Sequence, residues 1–356
     1  MRKLCSIEEV LDIKKAENSD NLELAIIKGW QVVVKKDEFK IGEKIIYFEI
    51  DALIPRTKIT EFLFKDKKED VQEARLKTIK LRGNLSQGLI LSLNQIGEYY
   101  KEISGEVFDF NALEVGTDLT EQLKIRKYEP PVPEEVGAKS SSRVWEIPKT
   151  DEERYQSNPD LVDALKGKEY YASVKLDGTS TTIILNINDE NEPEVNVCGR
   201  NTCYEENPNN KYWAVAMKYN MKEKILEYYN KTGKRLAFQG ELIGPKIQGN
   251  KMGLTENDLY IFNVWIAEGK QPYEKCDIDT ALSIVKELEL KFVPIELTGI
   301  FEYNTEDLQG LTELPYNKYF KNAKPSQNIE GLVFRSKDMK ISFKVVSNKF
   351  LLRGGE

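Results

Sequence analysis

The chain has no histidine in 356 residues. That excludes histidine acid–base catalysis, a Ser-His-Asp triad and every histidine-ligated metal. Chemistry must come from Lys, Asp, Glu, Arg, Tyr, Cys, Ser or Thr. Cysteine is scarce as well: Cys5, Cys198, Cys203 and Cys276 show no C-x-x-C spacing. A zinc site is disfavoured, and a reduced, cytosolic setting is the default expectation. No window approaches the roughly 18 apolar residues of a membrane span. The opening "MRKLCSIEEVLDIKK" has no apolar stretch after its basic pair, so no secretory signal is expected. There is no Walker glycine loop, no GxGxxG and no internal repeat.

What is present fits an ordinary soluble globular protein of about two domains, at roughly 150 residues each. Hydrophobic residues make up 40% and charged residues 31%, and the net charge of −7 gives no global field to attract nucleic acid. Charge is uneven, however. Residues 318–353 carry Lys318, Lys321, Lys324, Arg335, Lys337, Lys340, Lys344, Lys349 and Arg353 against Glu330 and Asp338, so a polyanion is expected to find footing there.

The first 125 residues read as short strands with turns between them. "LELAIIKGWQVVVKK", "KIIYFEI" and "ARLKTIKLRGNLSQGLILSL" are rich in β-branched and aromatic residues. Five or so strands in about 100 residues predict a small barrel or sandwich, an OB-type barrel being one solution. A helix-like piece, Asp118–Lys124, leads into Pro130, Pro131, Pro133 and Ser140–Ser142, read as a linker over 126–150. From 151 to 356 strands are predicted at 169–176, 180–187, 194–199, 235–242, 258–266, 292–296, 330–336 and 340–346. Helices are predicted at 151–165, 211–229 and 277–289. Strands and helices do not alternate regularly, which favours α+β with antiparallel sheets.

One stretch in this region carries chemistry. In "SVKLDGTS" Lys175 ends a strand-like run and Asp177 follows two residues later. A lysine is nucleophilic only when neutral, and burial or a nearby cation disfavours its ammonium form. Asp177 alone pushes the other way, unless it holds a hydrated Mg²⁺ beside the amine. Gly178 lets backbone turn tightly or approach a ligand. K-x-D-G by itself is a weak signal and equally describes a charged turn. Downstream come Glu241 in "FQGELIGPK", Phe262 and Trp265 in "LYIFNVWI", Glu330 in "NIEGLVFRS" and Lys344 in "KISFKVVSN". Singly they read as strand-end acids, core aromatics and a strand lysine. Together they supply what covalent nucleotidyl transfer requires. A lysine attacks an α-phosphate, carboxylates hold metal and ribose, an aromatic face stacks the base, and a second lysine neutralises phosphate.

This set resembles the covalent nucleotidyltransferase superfamily of ATP-dependent polynucleotide ligases and mRNA-capping enzymes. Lys175-Leu176-Asp177-Gly178 is similar to motif I and Cys198-Gly199-Arg200-Asn201 to motif Ia. Ile261-Phe262-Asn263-Val264 is similar to motif III, Glu330-Gly331-Leu332-Val333 to motif IV and Ser342-Phe343-Lys344-Val345 to motif V. The resemblance implies that Lys175 accepts AMP, with Asp177 and Lys344 beside it as catalytic residues. Val174, Arg200, Glu241, Phe262, Glu330 and Lys344 would bind ATP. Asp177, Glu241 and Glu330 would hold Mg²⁺ or Mn²⁺, directly or through its waters. One departure stands out: motif V often reads Lys-x-Lys, but Ser342 and Val346 flank Lys344 here, leaving Lys340 or Lys349 as the nearest substitutes.

Domain order narrows the resemblance. About a dozen residues follow motif V, too few for a trailing OB barrel, and the β-rich module comes first. That order, with "GWQVVVKKDEFKIGEKIIYFEIDALIP" and "IPKTDEER", resembles the RNA ligases of the Deinococcus and Naegleria type, the fifth RNA-ligase family. It implies sealing of a 3′-OH to a 5′-phosphate through lysyl-AMP and an adenylated 5′ end, at nicks in duplexes with RNA on the 3′-OH side. A cytoplasmic monomer acting on nucleic acid, without a membrane partner, is expected. Lys77, Lys80 and Arg82, with Trp30, are the candidates for duplex contact in the first domain. A DNA ligase, a capping-type guanylyltransferase, or a non-catalytic binder with a degenerate transferase fold remain open alternatives.

Overall fold

A computed structural model describes residues 3–129 and 146–353. The linker prolines Pro130, Pro131 and Pro133 and the serines Ser140–Ser142 lie outside the described residues. The chain forms two compact units. Residues 3–129, Gln156–Pro159 and 351–353 belong to the first, residues 146–155 and Asp160–Phe350 to the second.

All strand pairs of the first unit are antiparallel. Cys5–Glu9, Lys44–Phe48 and Leu89–Ser92 form one ladder; Asp12–Lys15, Leu22–Ile27 and Trp30–Lys35 form another. Arg126–Lys127, Ala52–Pro55 and Glu73–Arg75 form a third, and Thr78–Leu81 with Asn84–Gln87 a hairpin. Alternation works as expected for half-buried strands: in Trp30–Lys35 the first, third and fifth side chains point inward. One helix, Leu93–Ser104, follows directly on the strand Leu89–Ser92. Its start is written in Ser92-Leu93-Asn94-Gln95, where the Ser92 hydroxyl accepts from the Gln95 N–H and the Gln95 side chain accepts from the Ser92 N–H. Gly105, at φ 78°, ends it. The helix expected at Asp118–Lys124 is a set of turns, closed by Lys124 at φ 55°.

Two antiparallel sheets build the second unit. The four-stranded sheet runs Ile295–Ile300, Glu169–Lys175, Gly331–Ser336, Ser342–Val346. The six-stranded sheet runs Cys203–Tyr204, Pro193–Cys198, Thr179–Ile187, Lys234–Ile243, Asp258–Glu268, Glu274–Lys275. Residues 176–178 carry the chain from the first sheet to the second. One apolar core includes Val174, Leu332, Phe334 and Phe343 of the four-stranded sheet together with Ile243 and the flank of Phe262. A second core lies between the six-stranded sheet and three helices, Lys211–Lys218, Met221–Thr232 and Ile278–Glu287.

Three elements differ from expectation by more than two residues or by a break, each for a local reason. The helix read as 211–229 breaks at Asn220, which takes φ 49°. The helix read from 151 starts only at Asp160, after Pro159, because a residue preceding proline disfavours helical backbone. The strand read as 292–296 is Ile295–Ile300. Phe292 pairs instead with Ile261 of the other sheet, and Pro294, lacking an N–H, offers only its carbonyl, which accepts from Val174.

Candidate active site

Lys175 is the last residue of a strand buried along most of its length, and the strand register sets it opposite Gly331. Gly331 has no room for a side chain: a Cβ there would lie 2.0 Å from the Val345 carbonyl oxygen. Its backbone therefore packs tightly on the last strand, and Glu330 is held just outside the ladder, 3% exposed. The Lys175 Nζ donates to Glu330 Oε1 at 2.5 Å. A charge-assisted bond to a carboxylate held out of water is stronger than a neutral one.

Asp177 does not pair with Lys175. Its carboxylate takes the Lys251 ammonium instead. Its backbone N–H donates to the Tyr316 hydroxyl at 3.1 Å, and that oxygen also accepts from the Glu330 N–H at 3.3 Å. Tyr316 is fully buried. Burial, then the charges of Glu330 and Asp177, push its phenol well above the ordinary range, so it stays neutral. One tyrosine oxygen thus ties the backbone of the Lys-x-Asp-Gly turn to that of the Glu-Gly-Leu-Val turn.

Glu241 comes from the other sheet. Gly178 allows its approach: a Cβ at Gly178 would lie 2.4 Å from the Leu242 carbonyl oxygen and 3.0 Å from Glu241 Cγ. The missing side chain makes room for a strand, not a ligand. Glu241 keeps some surface open to solvent, yet its carboxyl is pushed up to about 8. Burial is the main cause. Lys175 opposes it, Glu330 and Asp177 reinforce it, and the Gly178 N–H opposes it by donating a bond. A glutamate with a raised folded-state pKa binds its proton more tightly when folded. Its contribution to stability is complete below about pH 4.5 and lost as pH rises through about 8. Glu241→Gln is therefore expected to raise the melting temperature of the nucleotide-free protein at about pH 9 and to do little at about pH 5. Equal shifts at both pH values would show that Glu241 is not held protonated.

Phe262 sits in a β-bulge. Ile261 opposes Gly240 and Asn263 opposes Gln239, which leaves Phe262 without a partner in the ladder. Bulges re-aim side chains, and Phe262 is half-buried on the flank of the core shared with Lys175's strand. Lys344 is not an outward strand lysine but 8% exposed, with its Nζ 3.3 Å from Asp151 Oδ1. The same Asp151 lies 3.7 Å from the Arg200 guanidinium through Oδ2. Asp151 thus gathers the two candidate phosphate-binding cations onto one carboxylate.

Comparison with known proteins decides the family. An RNA ligase family model matches residues 168–349, more than half of the chain. The chain belongs to the RNA ligase family. An OB-fold domain model matches residues 4–93 of the ligase, so an N-terminal OB-fold domain precedes the ligase domain. Among solved structures, Naegleria gruberi RNA ligase with PPi is 32% identical with a TM-score of 0.81. A mutant of that ligase with ATP and Mn, and another with AMP and Mn, are each 32% identical with TM-scores of 0.82. Each alignment covers 99% of both chains. No curated protein matches in sequence.

Several sequence expectations need correction. The Val174 side chain is in the core and its N–H is taken by Pro294, so it offers a nucleotide no side chain. Trp30 is 1% exposed, on the inner face of its strand beside Tyr47, and cannot stack on a base. The basic stretch 318–353 is only in part an open cationic surface, since Lys321 and Lys324 are exposed while six of its cations are paired. Lys318 pairs with Glu296, Arg335 with Glu152, Lys337 with Asp279, Lys340 with Asp338, Lys344 with Asp151 and Lys349 with Glu313. Neither Lys340 nor Lys349 joins Lys344, and Ser342 bonds Glu152. Cys198 and Cys203 are not reduced thiols. They face each other across a short strand pair and form a disulfide around the Arg200 turn, while Cys5 and Cys276 are free and buried. Lys77, Lys80 and Arg82 are exposed on the hairpin of Thr78–Leu81 and Asn84–Gln87, Lys80 within its first strand.

Lys251, Tyr316 and Asp151 are the site residues that sequence reasoning missed. Lys251 and Tyr316 lie outside strands and long helices, where no periodicity marks them. Asp151 did carry a signal: an acidic run, Asp151-Glu152-Glu153, just ahead of a domain with buried Arg335 and Lys344.

Proposed function

We propose that the protein is an ATP-dependent RNA ligase that joins 3′-OH and 5′-phosphate ends at nicks in a duplex with RNA on the 3′-OH side. The observation that carries this reading is the Lys175–Glu330 pair, at the junction of two sheets that also bring up Glu241 and Phe262. Lys175, with its proton shed, attacks the ATP α-phosphorus and pyrophosphate leaves, giving lysyl-AMP. Glu330 is the nearest acceptor for that proton. AMP then passes to the 5′-phosphate, and the 3′-OH displaces it. Each step asks for charge neutralisation rather than proton shuttling through histidine. Arg200 and Lys344 supply that charge once phosphate replaces Asp151 between them. Phe262 supports the base and Glu241 the ribose.

A divalent cation fits the donor set. Glu330 and Asp177 raise the proton affinity of Glu241 through their negative charge, a repulsion that a cation relieves. Among the described residues no three acids cluster as a closed metal cage. Mg²⁺ suits such a place, since it keeps several waters and takes one or two carboxylates plus substrate phosphates. Asp177, Glu241 and Glu330 would hold it or its waters, and it would shield the phosphate charge. The solved Naegleria gruberi ligase structures with ATP, AMP and Mn support this reading.

The test is a sealing assay on nicked duplexes in all four RNA/DNA combinations, with labelled ATP or GTP. Sealing is expected with ATP wherever RNA carries the 3′-OH. Label transfer from GTP alone, or indifference to the 3′-OH strand, would overturn the reading. The hairpin adds a second expectation. Replacing Lys77, Lys80 and Arg82 with alanine should weaken nick binding and flatten its log–log salt slope by about 0.9 for each phosphate these side chains neutralise. Lysine adenylylation should be unchanged. An unaltered slope means these side chains are only solvated.

A further inference from the structure

Lys251 has no place in the motifs, yet its surroundings are specified in detail. It lies in "GPKIQGNKMG", where backbone at Lys246, Gln248, Gly249, Asn250 and Gly253 takes φ of 64°, 43°, 70°, 49° and 67°. Non-glycine residues in this region are strained and persist only where the surroundings enforce them. Here they do. The Asn250 side chain accepts from the Leu254 N–H at 3.0 Å and donates to the Leu254 carbonyl at 2.8 Å. Met252 is 1% exposed. Gly253 packs so closely that a Cβ would lie 2.4 Å from the Asn322 carbonyl oxygen. The Lys251 ammonium is further fixed over the Phe350 ring, 4.3 Å from its centre. The loop therefore aims one positive charge, and it aims it at Asp177 Oδ2.

That arrangement has an electrostatic consequence. Asp177 stands two residues from Lys175, and Glu241 is close enough to feel its charge and that of Glu330. With no cation of its own it would add an unbalanced negative charge to the nucleotide-free site. It would also compete with Glu330 for the Lys175 ammonium. Lys251 prevents both. A metal ligated directly by Asp177 Oδ2 would meet the Lys251 ammonium at the same oxygen, and like charges this close repel, so the lysine must give way.

We propose that Lys251 is a positioning residue, a resident counter-ion of Asp177 that a divalent cation must displace, so that it sets how tightly the metal binds before the nucleotide arrives. This rests on the reading above that Asp177 takes part in metal binding. Lys251 need not touch substrate to act. It keeps Asp177 neutralised in the resting enzyme and makes metal entry an exchange of one cation for another.

The test measures Mn²⁺ binding to the full-length, nucleotide-free protein by electron paramagnetic resonance of free Mn²⁺. Wild type, Lys251→Met, Lys251→Arg, Asp177→Asn and the Lys251→Met/Asp177→Asn double variant are compared. Methionine keeps the apolar stem over Phe350 and removes the charge. Lys251→Met is expected to tighten Mn²⁺ binding about tenfold, the scale of coupling between contacting charges. Lys251→Arg should stay near wild type, and the Asn background should abolish the gain. Unchanged or weaker Mn²⁺ binding in Lys251→Met, with Asp177→Asn still impaired, overturns the counter-ion role alone. Equal binding by wild type and Asp177→Asn overturns the metal role of Asp177 and the inference with it.

Discussion

Lys175→Ala is expected to reduce transfer of labelled AMP from ATP to background, while a nick supplied with an already adenylated 5′ end is still sealed. The lysine amine is the nucleophile of the first step and the leaving group of the second, and a pre-adenylated nick bypasses both. The third step needs phosphate neutralised and a 3′-OH brought in line, tasks assigned to Lys344, Arg200 and the carboxylates, which the substitution leaves in place. The prediction has a structural hazard. Lys175 is the cation opposite Glu330, a carboxylate 3% exposed. Removing one partner of a buried pair costs up to about 3–5 kcal/mol, and less here because the Lys175 side chain is 26% exposed. Melting curves must therefore accompany the assay, and Lys175→Arg, which keeps the cation without a usable nucleophile, serves as the second variant. If the arginine variant folds normally, transfers no AMP and seals pre-adenylated nicks, the lysine is the AMP acceptor. If a stably folded variant loses both activities, Lys175 also works in the later steps. If either variant still forms a protein–AMP bond, another residue is the nucleophile.

Much of this site was legible before folding, for a definite reason. Lys175, Glu241, Glu330 and Lys344 each lie in or directly beside apolar strand-like runs, so their positions at strand ends or in interiors followed from pattern alone. The antiparallel sheets and the leading β module were legible in the same way. What pattern could not provide was pairing. Lys175 meets Glu330 because Val174 stands opposite Leu332 in a ladder whose strands are about 155 residues apart in sequence. The neighbour two positions away, Asp177, looked the natural partner and is not. Linear charge also misled. Five cations of the run 318–353 are paired with Glu296, Asp279, Glu152, Asp151 and Glu313, acids that tertiary folding brings from elsewhere, while Lys321 and Lys324 stay exposed. Trp30 looked like a stacking platform in a list of aromatics, but strand alternation turns it inward. Lys251 and Tyr316 act from irregular backbone, which carries no period to read.

Glu330 carries the second large effect, and its substitutions separate charge from position. Three properties meet in this residue. It is buried, it pairs with the candidate nucleophile, and its backbone N–H is held by the Tyr316 hydroxyl that also holds the Asp177 N–H. Glu330→Gln keeps shape and an acceptor for the Lys175 ammonium but removes the charge. It is expected to lower the rate of lysine adenylylation a hundredfold or more, which corresponds to about 2.7 kcal/mol of barrier. Glu330→Ala should be no better, since both substitutions remove the carboxylate beside Lys175 and with it the nearest acceptor for the lysine's proton. Tyr316→Phe makes the complementary change. It leaves every site charge in place and removes one oxygen, so two N–H groups lose their acceptor at about 1–3 kcal/mol each. Its expected signature is a lower melting temperature and a moderate loss of adenylylation, with the pH dependence of the rate unchanged. Glu330→Gln should shift that pH dependence, because the lysine then titrates without its carboxylate. Rate constants for AMP transfer measured across pH for both variants decide the matter. If Glu330→Gln leaves rate and profile intact, the 2.5 Å pair holds structure only. If Tyr316→Phe shifts the profile as Glu330→Gln does, the tyrosine acts on the charge of the site and not merely on the position of its two turns.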